Sequence, residues 1–345
     1  MQPTDSDVAR LGELFQRNDD PKDMKALRWR YLENPTGRVF VDLALDDAQE
    51  AVAGAYCVSP AYFRLGGRRV LGVQSIDTLT DARYRGKGLF QRLAQSCYGR
   101  CAEQGASLVY GFPNQHSAFG FFERLGWTRL DPVPFLIRPL RAQYLATRMR
   151  APSWVVDRLP RVPLASTADV SPPRGQELRV VEEFDEGFDR LWAEFARDVD
   201  VALERDSAYL RWRFSANPHA RYKTLAVFER GEMIAYAVFC VADKHGGRVG
   251  YVMELLHLPG RWNEARLALR QAVVEIARAG SDVVLAWCLD SSPNRRAYRA
   301  EGFLTLPERV RPIELHFGAR HLESSEVAVC NRKSWYLSYC DSDTV

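Results

Sequence analysis

The chain repeats itself, and that limits it to folds that can be built twice. Leu27-Arg28-Trp29-Arg30-Tyr31-Leu32-Glu33-Asn34-Pro35 recurs as Leu210-Arg211-Trp212-Arg213-Phe214-Ser215-Ala216-Asn217-Pro218. Each copy is followed by two strand-like segments with a short turn between them, residues 38–45 and 51–58 in the first and 222–229 and 233–241 in the second. Each then reads as strand, helix, strand, helix. The helices end at Gly105 and Gly280, and Phe122-Glu123-Arg124-Leu125-Gly126-Trp127 answers to Tyr298-Arg299-Ala300-Glu301-Gly302-Phe303. Even the last strands correspond, residues 134–138 with 310–314. A self-similarity of this length marks a duplicated structural unit.

Between the copies, residues 151–176 carry Pro152, Pro160, Pro163, Pro172 and Pro173 among Ser and Thr. Proline lacks the N–H that helices and inner strands need, so this stretch is expected to be a linker. The expected organisation is residues 1–145, a linker at 146–176, and a second unit over 177–345 that includes a tail. The second copy has a clear strand at 178–184 ahead of its first helix, whereas the first has none. The first strand of the first unit is therefore expected to be missing or supplied from elsewhere. In the tail, residues 326–329 and 334–338 read as short strands.

The chemistry concentrates at residues 74–101. Ile76, Thr78 and Thr80 alternate with Asp77 and Leu79 as in a strand. A basic turn, Arg83-Tyr84-Arg85-Gly86-Lys87-Gly88, follows. Leu89, Leu93, Cys97 and Cys101 then form the buried stripe of a helix. A strand, a glycine turn and a helix aim several backbone N–H groups at one anion, helped by the helix macrodipole. Gly86 and Gly88 leave room for a phosphate to approach. The P-loop pattern is absent, and so is GxGxxG.

The run Arg83-x-x-Gly86-x-Gly88 resembles the [RQ]-x-x-G-x-[GA] acyl-CoA signature of the GNAT acetyltransferases. Downstream, Ser107 to Trp127 is similar to that superfamily's next strand, its Asn-containing turn and a helix closing on Leu-Gly-Trp. The resemblance implies an α/β fold of two tandem GNAT-type domains, each a mixed, largely antiparallel twisted sheet flanked by helices. It implies an acyl-CoA co-substrate, acetyl-CoA first, with the pantetheine in a wedge between two splaying strands. Carried onto this sequence, Thr78, Leu79 and Thr80 would hold the pantetheine, and Arg83, Arg85, Gly86, Lys87, Gly88 and Leu89 the pyrophosphate. Asn114, Ser117 and Phe121 would line the exit. In the second copy Arg261, Trp262 and Asn263 replace the glycine turn. That copy is read as degenerate, shaping or covering the first, an arrangement similar to mycothiol-synthase-like proteins.

Acyl transfer to an amine needs a base and a donor to the leaving thiolate. Asp77, among apolar neighbours, is the first choice of base, with a raised pKa expected. His116 is the second. Many GNAT enzymes place a tyrosine donor where this chain has Phe122, which leaves Tyr84, Tyr110 or water. Trp29 and Trp212 are read as packing, because the copy without a glycine turn keeps its tryptophan. Arg28 and Arg30 could meet an anionic acceptor. The aromatic tail is expected to fold back, with Asp341 and Asp343 near the acceptor entrance, or else to complete the second sheet as an edge strand.

Net charge is +3 over 345 residues, without the concentrated basic face of a nucleic-acid binder. The first residues have no basic n-region and no long apolar run, so neither a signal peptide nor a membrane span is expected. Seven scattered cysteines without a CxxC fit a reducing cytoplasm and no metal. The expected activity is an acyl-CoA-dependent N-acyltransferase acting on a small amine, an amino sugar or sugar nucleotide included. A non-catalytic acyl-CoA-binding or scaffold protein and an O-acyltransferase are the alternatives.

Overall fold

The structure is a computed structural model that describes residues 4–48, 51–148, 152–159, 164–308, 311, 314–322 and 329–344. Two helices open the chain, α1 (Asp5–Arg17) and α2 (Met24–Tyr31). Thr4 starts α1 with a reciprocal cap, its side chain accepting from Asp7 N while Asp7 accepts from the Thr4 backbone. Val8, Leu11, Leu14 and Phe15 form the face of α1 that packs over the first sheet.

That sheet runs β1 (Phe40–Asp46), β2 (Ala51–Leu65), β3 (Arg68–Thr80), β4 (Ala106–Gly111), with β5 (Thr128–Arg129) at its far edge. β2 and β3 are longer than the alternation suggested, turning at the left-handed pair Gly66-Gly67. Helix α3 (Leu89–Glu103) packs on it through Leu93, Cys97 and Cys101. β1, β2 and β3 are antiparallel, and β3 and β4 are parallel.

β6 (Phe135–Pro139) does not close this sheet. It crosses to the second one, ahead of α4 (Ala142–Arg148) and α5 (Ser153–Val156). The second sheet continues with β7 (Gln176–Val181), followed by α6 (Glu186–Phe195), β8 (Val201–Leu203) and α7 (Ser207–Leu210). β8 is itself given back to the first sheet, pairing with β2. Then come β9 (Lys223–Glu229), β10 (Glu232–Lys244), β11 (Gly247–His257), α8 (Trp262–Arg278), β12 (Val283–Trp287), α9 (Arg295–Ala300) and β13 (Leu304–Thr305). The order is β13-β6-β12-β11-β10-β9-β7, with β11 and β12 the parallel pair. Finally β14 (Gly318–His321) inserts between β4 and β5 of the first sheet. The fold is mixed α/β with two mixed seven-stranded sheets flanked by helices.

The two sheets therefore have the same order, and each borrows the same strand from the other half of the chain. β6 pairs with β12 from Pro139↔Val283 to Phe135↔Trp287, while β14 pairs with β4 from Gly318↔Gly111 to His321↔Leu108. The sequence matched residues 134–138 to 310–314. The strand that takes the role is instead β14, and residues 310, 312 and 313 lie outside the described ones. Among the described residues the first sheet has no strand beyond β1, where the second has β7.

The proline-rich stretch is not a free linker. Residues 153–156 are helical, Ala165 is buried in the second core, and Val170 N donates to Gln271 of α8. Of the two short strands expected in the tail, residues 326–328 lie outside the described ones, and the other survives only as a single bridge from Trp335 to Val201.

Candidate active site

β3 carries a bulge at its C-terminal end. Its pairing with β2 skips from Cys57↔Ile76 to Ala55↔Leu79, and Asp77 takes a φ of 45°, a left-handed conformation that Asp tolerates better than most residues. Pairing between β3 and β4 stops at Ser75↔Gly111. β4 then leaves toward Asn114, which bridges Leu315. The strands splay, and the wedge between them is a cavity of about 250 Å³ lined by Ser75, Ile76, Asp77, Thr78, Leu79 and, across it, residues 111–114, Ser117 and Phe121. Thr80 is not on its wall; it pairs with Gly54.

At the end of β3 the chain enters the glycine turn. Asp81 accepts from Arg83 N (3.0 Å) and from its guanidinium, and Arg17 lies 3.5 Å away. The Arg83 hydrogen bonds hold the Asp81 carboxyl down to about 2. Tyr84 donates to Asp46 (2.6 Å). These bonds brace the turn so that Arg85, Gly86, Lys87 and Gly88 stand exposed. Gly86 and Gly88 have φ of 80° and 71°, and a Cβ on either would meet nothing within 4 Å. Gly88 caps α3 without a side chain, so the first-turn N–H groups face open space. An anion fits there.

The second copy has closed the same place. Arg261 replaces the glycine at the helix cap with φ of −89°. It pairs with Glu229 (2.7 Å) and with Glu264 (3.2 Å), an acid in the first turn of α8. Arg296 stacks on Trp262 with 3.9 Å to the ring centroid. The second wedge is filled from the tail. The Tyr336 hydroxyl lies 3.0 Å from the Leu255 carbonyl, Asn294 donates to that carbonyl and to Tyr336, and Glu254 pairs with fully buried Arg205 (2.8 Å).

The sequence-named carboxylate Asp77 is not a poised base. Arg30 donates to it (2.7 Å) and Tyr31 donates to it (2.8 Å). Burial pushes its pKa up, but Arg30, Lys22 and Tyr31 outweigh this and hold it below the ordinary carboxylate value, contrary to the expected rise. Arg30 is thereby an ion-pair partner of the wedge wall. His116 is exposed and lines neither this wedge nor the cavity described next. Asn114 lines the wedge and also caps the following turn, its Oδ1 accepting from His116 N (3.0 Å) and Ser117 N (3.1 Å). The two tyrosines named as substitutes for the missing acid are committed elsewhere, Tyr84 to Asp46 and Tyr110 to the Asp341 carbonyl (2.9 Å). Phe121 faces the wedge, whereas Phe122 packs under Arg129.

A second cavity, of about 220 Å³, lies between the halves. Trp29, Gln74 and Tyr110 line it from the first half, Tyr209, Trp212 and Tyr222 from the second half, and Ser342 to Thr344 from the tail. Ile76 and Asp343 line both cavities, so the two are adjacent there. The Asp343 side chain has exposed surface, and the Gln74 amide lies 3.5 Å from its Oδ1. Desolvation by the protein around it raises its pKa; Arg30 opposes this and the Asp77 charge reinforces it. Asp341 behaves differently from its expected role: it is buried and ion-paired with Arg205 (2.5 Å), inside the protein rather than at an entrance. A paired, capped tail residue gives no sequence signal that separates it from Asp343 two positions on.

Among the described residues no helix is long and apolar enough to cross a membrane. A family model described as an acetyltransferase (GNAT) domain matches residues 6–130. No curated protein matches the sequence. A GCN5-related N-acetyltransferase from Anabaena variabilis ATCC 29413 superimposes with a TM-score of 0.63 at 14% identity, over 94% of this chain and 72% of that one. Saccharomyces cerevisiae N-myristoyltransferase with bound myristoyl-CoA does so with a TM-score of 0.61 at 12% identity, over 92% and 81%. The part of the chain that matches the acetyltransferase (GNAT) domain model, residues 6–130, holds the splayed strands, the glycine turn and α3, and the solved neighbours share the two-sheet fold.

Proposed function

We propose that the protein is an acyl-CoA-dependent N-acyltransferase, acetyl-CoA being the first donor to test, with the donor in the first copy and a small amine in the cavity between the copies. The observation that carries this reading is that the wedge and the inter-copy cavity are adjacent, with Ile76 and Asp343 lining both. The N-terminus of α3 and the backbone at Gly86 to Leu89 would hold the pyrophosphate, with Arg85 and Lys87 adding charge. The free edge of β3 at Thr78 and Leu79 would pair with the pantetheine. At about 220 Å³ the second cavity suits a small acceptor.

In this reading Asp343 takes the proton from the amine. A carboxylate with a raised pKa is a better base than Asp77, whose charge is already balanced by Arg30. The second copy supplies one wall of the acceptor cavity and anchors the tail that carries Asp343. Calorimetric titration with acetyl-CoA, followed by thiol release across a panel of small amines, tests the proposal. Binding with no thiol release from any amine would leave a non-catalytic acyl-CoA-binding protein instead.

A further inference from the structure

Resting on that reading, one question is what stabilises the leaving thiolate where Phe122 replaces the usual tyrosine. A chain of hydroxyls runs from the core to the apex of the wedge. Trp127 Nε1 lies 3.0 Å from the Tyr98 hydroxyl, which lies 2.5 Å from that of Tyr56, which lies 2.8 Å from Ser75 Oγ. Trp127, Tyr98 and Tyr56 are buried, while Ser75 is half-buried and lines the wedge.

The direction of this chain follows from its first member. An indole N–H can only donate, so Tyr98 accepts from Trp127. Among the described residues the other partner of the Tyr98 hydroxyl is Tyr56, so its proton goes there. With the Tyr98 proton taken up there, Tyr56 is satisfied by giving its own proton to Ser75 Oγ, 2.8 Å away. Ser75 Oγ has no further partner among the described residues, and its proton is left to point into the wedge. Burial raises the pKa of both tyrosines, which keeps them neutral and able to donate.

The second copy gives an internal comparison. The last pair between its splaying strands is Val252↔Ala286 where the first copy has Ser75↔Gly111. Counted back from the glycines that end the two helices, Gly105 and Gly280, Tyr98 corresponds to Val273, and Trp127, which follows Gly126, corresponds to Phe303, which follows Gly302. Buried hydroxyls cost stability unless each is bonded. The copy with a closed turn carries apolar residues at these three positions, and the copy with an open turn carries the polar chain.

We propose that Ser75 is the hydrogen-bond donor to the thioester sulfur, held in the donating orientation by Tyr56, Tyr98 and Trp127. As the amine nitrogen bonds to the acyl carbon, the C–S bond breaks and its electron pair goes to sulfur. The amine proton goes to Asp343, and Ser75 donates a hydrogen bond to the thiolate without losing its proton. Ser75 is the catalytic residue here, and the other three are positioning residues.

The test needs no acceptor. Free CoA is bound to the whole protein, and its thiol is titrated by thiolate absorbance. A donor aimed at sulfur lowers the thiol pKa in the complex. Ser75→Ala should raise it by about one to two units, the equivalent of one charged hydrogen bond. Ser75→Thr should keep the wild-type value. Tyr56→Phe should raise it by less, since Ser75 remains but loses its orientation. CoA affinity at pH 6, where the thiol is protonated, should stay within twofold in all variants. An identical thiol pKa in wild type, Ser75→Ala and Tyr56→Phe would overturn the assignment. Failure of wild type to bind CoA would instead remove the acyl-CoA reading on which it rests.

Discussion

Trp29 and Trp212 hold the two copies together by a reciprocal exchange. Each indole N–H donates to the other residue's carbonyl, at 2.9 and 3.1 Å, and the rings stack with centroids 4.6 Å apart. A residue and its repeat partner can face each other this way only across a local two-fold axis, the same symmetry that exchanges β6 and β14. Trp212→Ala should cost about 3–5 kcal/mol, the range for losing a buried tryptophan. The double variant with Trp29→Ala should cost clearly less than the sum, because both singles break the same pair of bonds. Urea denaturation of the four proteins measures this, and full additivity would deny the coupling.

The glycine turn predicts a sharp difference between the copies. Gly86→Glu or Gly88→Glu places bulk and negative charge where a Cβ now has open space, and each should abolish acetyl-CoA binding with the circular dichroism retained. Arg261→Ala opens an ion pair in the second copy and should leave that affinity unchanged, at a stability cost within about 1 kcal/mol. Wild-type affinity in both glycine variants would move the site elsewhere.

The pH–rate profile should separate the carboxylates. Asp343 has a raised pKa, so its basic form is lost as pH falls through a value above the ordinary carboxylate one, giving an acidic limb. Asp343→Asn should remove this limb and lower kcat by about 10²-fold or more. Asp77→Asn removes a negative charge that raises the Asp343 pKa, so it should move the limb to lower pH rather than abolish it. His116→Ala should leave it alone. A limb that persists in Asp343→Asn would return the role of base to another group.

Asp81 gives a stability test with a defined window. Its folded-state pKa of about 2 lies below the ordinary carboxylate value of about 3.9. Its contribution is therefore fully present above about pH 4 and is lost as pH falls toward 2. The stability difference between wild type and Asp81→Asn, read from urea midpoints, should be flat above pH 5 and shrink below pH 4. A constant difference down to pH 3 would contradict the depressed value.

The tail is part of the core as well as of the site. Tyr339, Cys340 and Asp341 are buried, so deletion of residues 339–345 should unfold the second half rather than merely weaken acceptor binding. Asp341→Ala should cost about 1–3 kcal/mol, because it removes one buried partner of Arg205 while Glu254 still balances its charge. Thermal unfolding checks both. A stable truncated protein would return the tail to a peripheral role.

The duplicated unit, the glycine turn with its helix, the loss of that turn in the second copy and the packing role of the two tryptophans are all legible in the sequence. They rest on local rules: side-chain periodicity, the conformations only glycine takes readily, and identical short runs. The exchange of β6 and β14 is not legible, since either strand carries the same apolar pattern whichever sheet receives it. The roles of Asp77 and Asp343 also depend on distance rather than pattern. Asp77 looked like a carboxylate among apolar neighbours, and only the fold brings Arg30 and Tyr31, some 46 residues away in the chain, to neutralise it. Asp343 became a wall of both cavities because the tail crosses from the second copy to the first. The pKa of a buried group is set by which charges lie within a few ångströms, and that is decided by tertiary structure.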